Sequence, residues 1–304
     1  MIYDIIIIGG GIAGLTSAIY SIRAGKKVAI FEAEFIGGAI VTSPIVENYP
    51  AIKEISGVDL ANELLSQIEN TNVDILYENI LSVELLDDIK IIKSNKSEYK
   101  TKTVIIATGT KRKNLGIKDE NKFIGRGISY CAYCDGSFFT NKIVAIVGGG
   151  NTAIEDCIYL SNICKKVYLI HRRDKFRADS ILVESMKNIE NISFIYDSIV
   201  QNINGEQFLD SITIKNIKTN NEKLLEIDGL FIAIGQIPQN QIFSPPVNID
   251  KYGYIIASED CKTNISGVYV AGDCRTKLLR QLITASADGA TAVASAIEYI
   301  NGGK

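Results

Sequence analysis

A glycine-rich fingerprint occurs twice in this chain, and it constrains the fold more than any other feature. The first copy, Gly9-x-Gly11-x-x-Gly14, directly follows the apolar run Ile5 to Ile8. The second, Gly148-x-Gly150-x-x-Ala153, directly follows the apolar run Ile143 to Val147. A buried strand, this tight turn and a helix together present helix N-terminal amides to the pyrophosphate of a dinucleotide. The repeat therefore predicts an α/β chain with two Rossmann-like dinucleotide-binding domains.

The residue that ends the second strand differs between the two copies. In the first copy the strand Lys27 to Phe31 leads into Glu32, whose carboxylate can accept hydrogen bonds from a ribose. At the spacing that separates Gly9 from Gly148, Glu32 aligns with His171, which opens the basic stretch His171 to Arg177. Read alone, such a stretch is as often a solvated face, but at this place its three arginines can clamp a 2′-phosphate. The first copy is predicted to take a ribose with free hydroxyls, and the second to take NADPH.

Two cysteines separated by two residues lie between the fingerprints, in Cys131-Ala132-Tyr133-Cys134. Thiols at this spacing can close into a disulfide and exchange with the disulfide of a partner. The alternative is half of a zinc site, which needs a second pair of ligands. His171 is the only histidine, and no second pair is formed by the other cysteines, Cys157, Cys164, Cys261 and Cys274. The pair is therefore predicted to be redox-active, without a metal.

Composition excludes several other classes of protein. The net charge of −3 over 304 residues gives no bulk field that would recruit nucleic acid or an anionic membrane. No apolar run approaches the roughly 18 residues of a membrane span, and the N-terminus lacks the basic leader of a secretion signal. Six cysteines with one obvious pair do not indicate an oxidised scaffold. A cytoplasmic protein is expected.

The remaining pattern fits two domains of ordinary size. A buried strand ending at Gly109 closes the first module, a polar connector covers residues 110–114, and residues 235–240 are interpreted as the return linker. Helices are predicted over 58–68, 178–189 and about 280–300, and strands over 80–92, 97–106, 192–196, 208–217 and 224–234. The last helix is rich in small residues, which predicts close packing against another backbone.

Taken together, these motifs resemble the low-molecular-weight NADPH-dependent thioredoxin reductases over the whole chain. The residues that carry the resemblance are Gly9 to Gly14, Cys131 to Gly136, Gly148 to Ala153, His171 to Arg173 with Arg177, and Ala271 to Asp273 with Arg280 and Gln281. The resemblance implies an FAD domain formed by residues 1–112 and 241–304. It also implies an inserted NADPH domain, residues 113–240, that carries the cysteine pair and rotates about its linkers. A homodimer is implied as well.

The same resemblance assigns the contacts of each cofactor. FAD is expected at the first fingerprint and the tail: Gly9, Gly11, Ala13, Gly14, Glu32, Gly38, Asn48, Thr108, Gly109, Gly272, Asp273, Arg280 and Gln281. NADPH is expected at the second fingerprint and the basic stretch: Gly148, Gly150, Asn151, Thr152, Ala153, His171, Arg172, Arg173 and Arg177. The chain departs from the family at Ala39, where a glutamine is usual, so one amide is missing from the expected FAD loop.

No side chain can take a hydride from NADPH and pass electrons to a disulfide, so the predicted chemistry requires the flavin. Cys134 is expected to face the flavin and Cys131 to meet the disulfide of thioredoxin, with Asp135 as general acid and base. Three alternatives stay open. The chain could reduce another disulfide protein such as a peroxiredoxin, it could be a ferredoxin-fed thioredoxin reductase, or it could be a non-catalytic redox sensor.

Overall fold

The computed structural model describes residues 1–43 and 45–302. The chain divides into two compact units, Met1–Lys111 with Ile237–Lys304, and Arg112–Gln236. The second unit is therefore inserted into the first. Residues 237–240, which the sequence analysis grouped with the inserted domain, lie in the first unit, and Arg112 lies in the second. The assignment of FAD to one unit and NADPH to the other stays a prediction.

The strands and helices of the described residues are numbered here in chain order. The strands are β1 (Ile2–Ile8), β2 (Val28–Glu32), β3 (Val73–Tyr77), β4 (Ile80–Glu84), β5 (Lys90–Ser94), β6 (Glu98–Ile106), β7 (Thr110–Arg112), β8 (Ile128–Ser129), β9 (Ile143–Gly148), β10 (Lys166–Ile170), β11 (Ile192–Ile195), β12 (Ser198–Asn204), β13 (Ser211–Asn216), β14 (Glu222–Glu226), β15 (Gly229–Ala233), β16 (Gln236–Pro238) and β17 (Val268–Val270). The α-helices are α1 (Ile12–Arg23), α2 (Gly57–Ser66), α3 (Ala132–Asp135), α4 (Asn151–Ser161), α5 (Ser180–Lys187) and α6 (Leu282–Ile300).

The first unit is built on a seven-stranded sheet in the order β3-β2-β1-β6-β5-β4, with β17 also paired to β6. Strands β3, β2, β1, β6 and β17 run parallel to one another, whereas β5 is antiparallel to both of its neighbours, β6 and β4. Ile5 and Ile7 pack into the core on one face of the sheet, and Ile6 and Ile8 pack into the core on the other. A strand buried on both faces needs a continuous apolar sequence, which β1 has.

Helix α6 crosses helix α1 at a glycine, as its run of small residues predicts. A β-carbon added to Gly289 would lie 2.4 Å from the carbonyl oxygen of Ala13. The hydroxyl of Ser17 donates to the carbonyl oxygens of both Ala13 (2.9 Å) and Gly289 (3.2 Å). The C-terminal helix is thereby seated directly on the helix that follows the first fingerprint.

The second unit contains a five-stranded parallel sheet in the order β11-β10-β9-β15-β8 and a three-stranded antiparallel sheet, β12-β13-β14. Strand β9, which carries the second fingerprint at its carboxyl end, is central. Helices α3, α4 and α5 contribute to the core on one face of the parallel sheet. Both sheets present mainly Ile, Leu and Val to the core on the other face.

Two sequence expectations differ from the observed strands. Residues 80–92 were predicted as one strand but hold β4 and the start of β5, because the polar residues Asp87 and Asp88 interrupt the pairing. Residues 224–234 hold β14 and β15, which belong to different sheets. No helix within residues 1–43 and 45–302 is long and apolar enough to cross a membrane.

Candidate active site and dinucleotide sites

The two cysteines of the C-x-x-C stretch form a disulfide at the start of a short helix. Cys131 is the N-cap of α3 and Cys134 lies within it, and their sulfur atoms are bonded at 2.07 Å. The backbone N–H of Cys134 donates to Sγ of Cys131 at 3.1 Å. A donor in this position stabilises the thiolate of Cys131 once the disulfide is opened, which favours thiol-disulfide exchange.

The carboxylate of Asp135 is coupled to Cys131 through Ser129. The Ser129 hydroxyl donates to Oδ2 of Asp135 at 2.6 Å and accepts from the backbone N–H of Cys131 at 3.0 Å. Burial raises the pKa of Asp135, against the Ser129 hydrogen bond and the charge of Arg112, which both lower it. A carboxyl with a raised pKa next to a thiol pair is suited to proton transfer. No pattern in the sequence indicated that Ser129 would have a functional role.

A second group of side chains surrounds Tyr130, the residue before Cys131. Its hydroxyl donates to Oε1 of Glu120 at 2.8 Å, and the Arg112 guanidinium lies over its ring at 5.1 Å. Glu120 is buried and also accepts from the backbone N–H groups of Leu115 and Gly116, both at 2.9 Å. The strand that leads into the cysteine pair is therefore fixed by a charged group that the sequence analysis did not single out.

In the first unit, the glycines of the first fingerprint are required by close backbone contacts. Gly9 has φ of 114°, and a β-carbon on it would lie 2.3 Å from the carbonyl oxygen of Ala107. A β-carbon on Gly14 would lie 1.9 Å from the carbonyl oxygen of Gly9. Gly11 caps α1 without a side-chain hydrogen bond and bridges Gly37, the neighbour of Gly38. The first amides of α1 have no side-chain cap and are suited to a phosphate.

Glu32 lies at the carboxyl end of β2, beside the fingerprint loop. Its Oε2 accepts from the backbone N–H of Gly10 at 2.7 Å, and its Oε1 accepts from that of Glu34 at 2.8 Å. Each oxygen keeps a lone pair that could accept a ribose hydroxyl. The carboxylate is therefore oriented by the loop itself.

The tail residues of the predicted FAD site lie in the same unit. Oδ1 of Asp273 is buried and has no hydrogen-bond partner among the described residues. The Arg280 guanidinium donates to the Asp273 carbonyl oxygen at 3.3 Å and stacks on Tyr254 at 4.1 Å. Asn48 donates to Gln281 at 3.2 Å. An unsatisfied buried acceptor is costly, so Asp273 fits a site whose ligand supplies a hydroxyl donor.

Thr108 and Gly109 follow β6, and Thr108 contacts a buried amide that the sequence analysis placed in a linker. The Thr108 hydroxyl donates to Oδ1 of Asn240 at 3.2 Å. The Asn240 amide donates to the carbonyl oxygens of Gly253 (2.9 Å) and Cys274 (2.8 Å). Asn240 is fully buried, so it fixes the loop after β6 rather than serving as a free linker residue.

In the second unit, the second fingerprint repeats the geometry of the first with different chemistry. A β-carbon on Gly149 would lie 2.2 Å from the His171 ring, where the equivalent Gly10 faces the Glu32 carboxylate. His171 is buried, its Nε2 lies 3.0 Å from the Lys175 carbonyl oxygen, and burial lowers its pKa. Nothing lies within 4 Å of a β-carbon on Gly150. His171 thus supports the loop, and the space beside Gly150 is open.

The other predicted NADPH residues surround this loop. Asn151 and Asp179 exchange two hydrogen bonds, at 2.8 and 3.0 Å, and the Arg177 amide donates to the Gly149 carbonyl oxygen at 2.7 Å. Thr152 is exposed, and Ala153 lies beneath Gly148. Arg172, Arg173 and Arg177 are exposed. In the described part of the chain, none of these three arginines is ion-paired, and Asp174 and Asp197 pair with Lys218 instead.

The described residues thus include a disulfide and two glycine-rich loops between a strand and a helix, and the comparison with known families agrees with this combination. The pattern of the pyridine nucleotide-disulphide oxidoreductases matches residues 3–289. The chain belongs to this family. As a pyridine nucleotide-disulphide oxidoreductase it is an enzyme of flavin and pyridine nucleotide chemistry, and the predicted fold class is confirmed.

Individual members of the family are similar over nearly the whole chain. The thioredoxin reductase of Mycoplasma genitalium is 43% identical over 295 residues, which cover 96% of this chain and 94% of that protein. The thioredoxin reductase of Helicobacter pylori is 42% identical over 306 residues, covering 98% of each. The crystal structure of the thioredoxin reductase from Streptococcus pyogenes is 38% identical, covers 99% of this chain and 98% of that one, and superposes with a TM-score of 0.95.

No group of His, Cys, Asp and Glu that could hold a metal ion occurs in residues 1–43 and 45–302. The four cysteines outside the pair, Cys157, Cys164, Cys261 and Cys274, are free and buried. Burial raises the pKa of the Cys157 and Cys261 thiols to about 12. Thiols in this state are poor nucleophiles, so these two cysteines are not suited to thiol-disulfide exchange.

Proposed function

We propose that this enzyme is a thioredoxin reductase that passes electrons from NADPH, through FAD, to the disulfide of thioredoxin. The observation that carries the proposal is the Cys131–Cys134 disulfide on the same unit as a fingerprint flanked by exposed arginines that form no ion pair within residues 1–43 and 45–302. The similarity to thioredoxin reductases over nearly the whole chain supports thioredoxin as the substrate.

FAD fits the first unit by the chemistry of its residues. The uncapped amides of α1 suit a pyrophosphate, Glu32 suits a ribose with free hydroxyls, and the orphaned oxygen of Asp273 suits a hydroxyl of the ligand. Bound flavin would supply the step between a two-electron hydride donor and a disulfide. Ala39 contributes no amide to this loop, so the proposal places no side-chain contact there.

The cysteine pair carries out the thiol-disulfide exchange, and Asp135 transfers the proton. Cys131, whose sulfur accepts from a backbone amide, is the thiolate that exchanges with thioredoxin, and Cys134 resolves the mixed disulfide and faces the flavin. Asp135 takes and returns the proton of the leaving thiol, and Ser129 holds its carboxylate. We further propose a homodimer, as the resemblance implies, and a cytoplasmic location, which the four buried free thiols support.

The test is a steady-state assay of the purified protein with NADPH and thioredoxin, read beside the visible spectrum. We expect a flavin band with about one FAD per chain, fast turnover with NADPH, and none with Cys131→Ser or Cys134→Ser. Cys164→Ser, which changes a buried free thiol, is the matched control and should keep activity. A colourless protein that takes up no flavin, or full activity in a Cys131→Ser variant, would contradict the proposal.

Cofactor preference tests the arginines separately. Replacing Arg172 and Arg173 together by Ala should raise KM for NADPH roughly tenfold or more and leave that for NADH nearly unchanged, since hydrogen bonds to a charged phosphate contribute ~1.5–3 kcal/mol. Lys218→Ala, on the same surface but paired with Asp174 and Asp197, is the control. Electron supply by ferredoxin and not by NADPH, or reduction of a peroxiredoxin and not of thioredoxin, would select one of the alternatives.

A further inference from the structure

A buried group of three charges lies beneath the loop that carries Asp273. Asp288, on α6, accepts from Arg275 at 2.9 Å (Nε) and 2.7 Å (Nη2) and from Nζ of Lys277 at 2.7 Å. The side chains of the three residues are only 7 to 9% exposed. We refer to Asp288, Arg275 and Lys277 as the Asp288 cluster. The sequence analysis did not single out the cluster, although Asp288 is a charged residue inside the run of small residues in α6.

The cluster is bonded to the backbone of the predicted flavin loop. Oδ2 of Asp288 accepts from the backbone N–H of Gly272 at 2.9 Å. Gly272 has φ of 83°, and a β-carbon on it would lie 3.0 Å from Cβ of Ala13, in the first turn of α1. The next residue along α6, Gly289, is the one that crosses Ala13. Asp288 therefore holds Gly272 against the helix that follows the first fingerprint.

The charges of the cluster do not balance. Two cations share one carboxylate, so a positive charge remains in a buried place, where unpaired charge is costly. Two carboxylates outside the cluster act on it: Asp273, whose pKa is raised by burial and lowered by Lys277 and Arg280, and Glu259, which adds to the raising of the Arg275 pKa by Asp288. A ligand with a pyrophosphate would offset it further. A buried surplus of positive charge would be stabilised by an anionic ligand, whereas a purely structural ion pair would need no such surplus.

We propose that the Asp288 cluster is the positioning group of the flavin site: Asp288 fixes Gly272 and thereby the direction of the Asp273 carboxylate, while the surplus cation favours an anionic dinucleotide. The inference rests on the proposed function, because it takes FAD as the ligand. None of the three side chains needs to touch the flavin.

The test measures FAD binding to the apoprotein by the quenching of flavin fluorescence, beside the unfolding temperature of the apoprotein. Lys277→Gln leaves the two hydrogen bonds between Arg275 and Asp288 in place, so the apoprotein should fold with little change in unfolding temperature. We expect its Kd for FAD to rise about tenfold, with a weaker salt dependence of binding. Asp288→Asn should raise Kd further, because one carboxylate oxygen becomes an NH2 donor and the remaining oxygen must serve Gly272, Arg275 and Lys277 alone.

Asp260→Asn is the matched control, since Asp260 also accepts from a backbone amide in this unit but its side chain is 47% exposed. Its Kd for FAD should equal that of the wild type. Unchanged Kd in Lys277→Gln, with or without a loss of stability, would overturn the inference and leave the proposed function standing. A wild-type apoprotein that binds no FAD would overturn both.

Discussion

The pKa of Asp135 is raised by burial, and the hydrogen bond from Ser129 opposes this effect. The Ser129 hydroxyl donates to Asp135 and accepts from the Cys131 amide. Ser129→Ala removes the donor that lowers the pKa of Asp135, so the raising effect of burial is left opposed only by the charge of Arg112. We expect the pKa of Asp135 to rise, and the limb of the pH profile of thioredoxin reduction that Asp135 controls to move to higher pH.

Ser137→Ala is the control for this change, because Ser137 is exposed and lies one turn beyond the cysteine pair. It should leave the pH profile in place. A Ser129→Ala enzyme whose profile coincides with that of the wild type would show that Asp135 does not control that limb.

Asp156 is a second carboxyl with a shifted pKa, and it affects stability. Burial raises the pKa of Asp156 to about 7, with a smaller contribution from Glu155. The folded state therefore binds more protons than the unfolded state between the ordinary carboxyl pKa and about 7, and stability falls as the pH rises through that window. The loss above pH 7 is of the order of 4 kcal/mol, at 1.36 kcal/mol per pKa unit.

Asp156→Asn removes this titration while keeping the shape of the side chain. The variant should unfold at a higher temperature than the wild type, and the difference should be larger at pH 8 than at pH 5. Glu190→Gln, an exposed change in the same unit, should show no such difference. Equal unfolding temperatures at both pH values would refute the raised pKa of Asp156.

Residues with local signatures could be predicted from the sequence, and residues defined by tertiary contacts could not. Gly9, Glu32 and Cys131 belong to motifs of fixed spacing, and the chemistry of such motifs can be inferred from the sequence alone. Ser129 and Asn240 are ordinary polar residues until β8 and the loop after β6 bring partners to them. The roles assigned to His171 and the arginines remain predictions, and the structure places His171 under the loop and the arginines at the surface.

At the scale of elements, the turn between β9 and α4 contains two glycines with different surroundings. Gly149 is tightly packed, and Gly150 has open space beside it. A β-carbon on Gly149 would meet the buried His171 ring at 2.2 Å, whereas one on Gly150 would meet nothing within 4 Å. Gly149→Ala should therefore lower stability by about 1–3 kcal/mol, as overpacking does. Gly150→Ala should leave the unfolding temperature unchanged but raise KM for NADPH, because its methyl group enters the space through which a pyrophosphate would approach.

The two substitutions are each other's control, since both add one methyl group to the same turn. Unfolding curves and NADPH kinetics are measured on both. A loss of stability in Gly150→Ala, or unimpaired NADPH binding in that variant, would contradict the assignment of the turn.

Long elements with a distinctive composition could be predicted from the sequence, whereas short strands and strands at the edge of a sheet could not. The parallel strands β1, β2 and β9 are continuous apolar runs, and α6 is long and rich in small residues. Strands β3 and β12 were missed because half or more of their residues are polar or partly exposed, so no clean alternation marks them. Their pairing with β2 and β13 supplies the stability that their own sequences do not specify.

At the scale of the whole molecule, the second unit is continuous in sequence and has its own core. We expect a fragment of residues 112–236 to fold cooperatively, as measured by circular dichroism, and to bind a 2′,5′-ADP resin without flavin. The first unit, rejoined by a short flexible linker between Lys111 and Ile237, should bind FAD and not the resin.

A fragment that ends at Ile227 is the control, because it lacks β15, which lies between β9 and β8 in the parallel sheet. It should fail to fold. Flavin binding by the 112–236 fragment would reverse the assignment of the two cofactors.

Strand β6 joins the two separated segments of the first unit. Its first half pairs with β5, and its second half, Val104 to Ile106, pairs with β17. On the ribosome, Val268 is made only after the entire second unit has emerged. At roughly 5 to 20 residues per second, the carboxyl half of β6 therefore waits on the order of ten seconds with one edge uncovered. During translation this unit is exposed to mispairing with other nascent chains, and its maturation is completed last although its synthesis begins first.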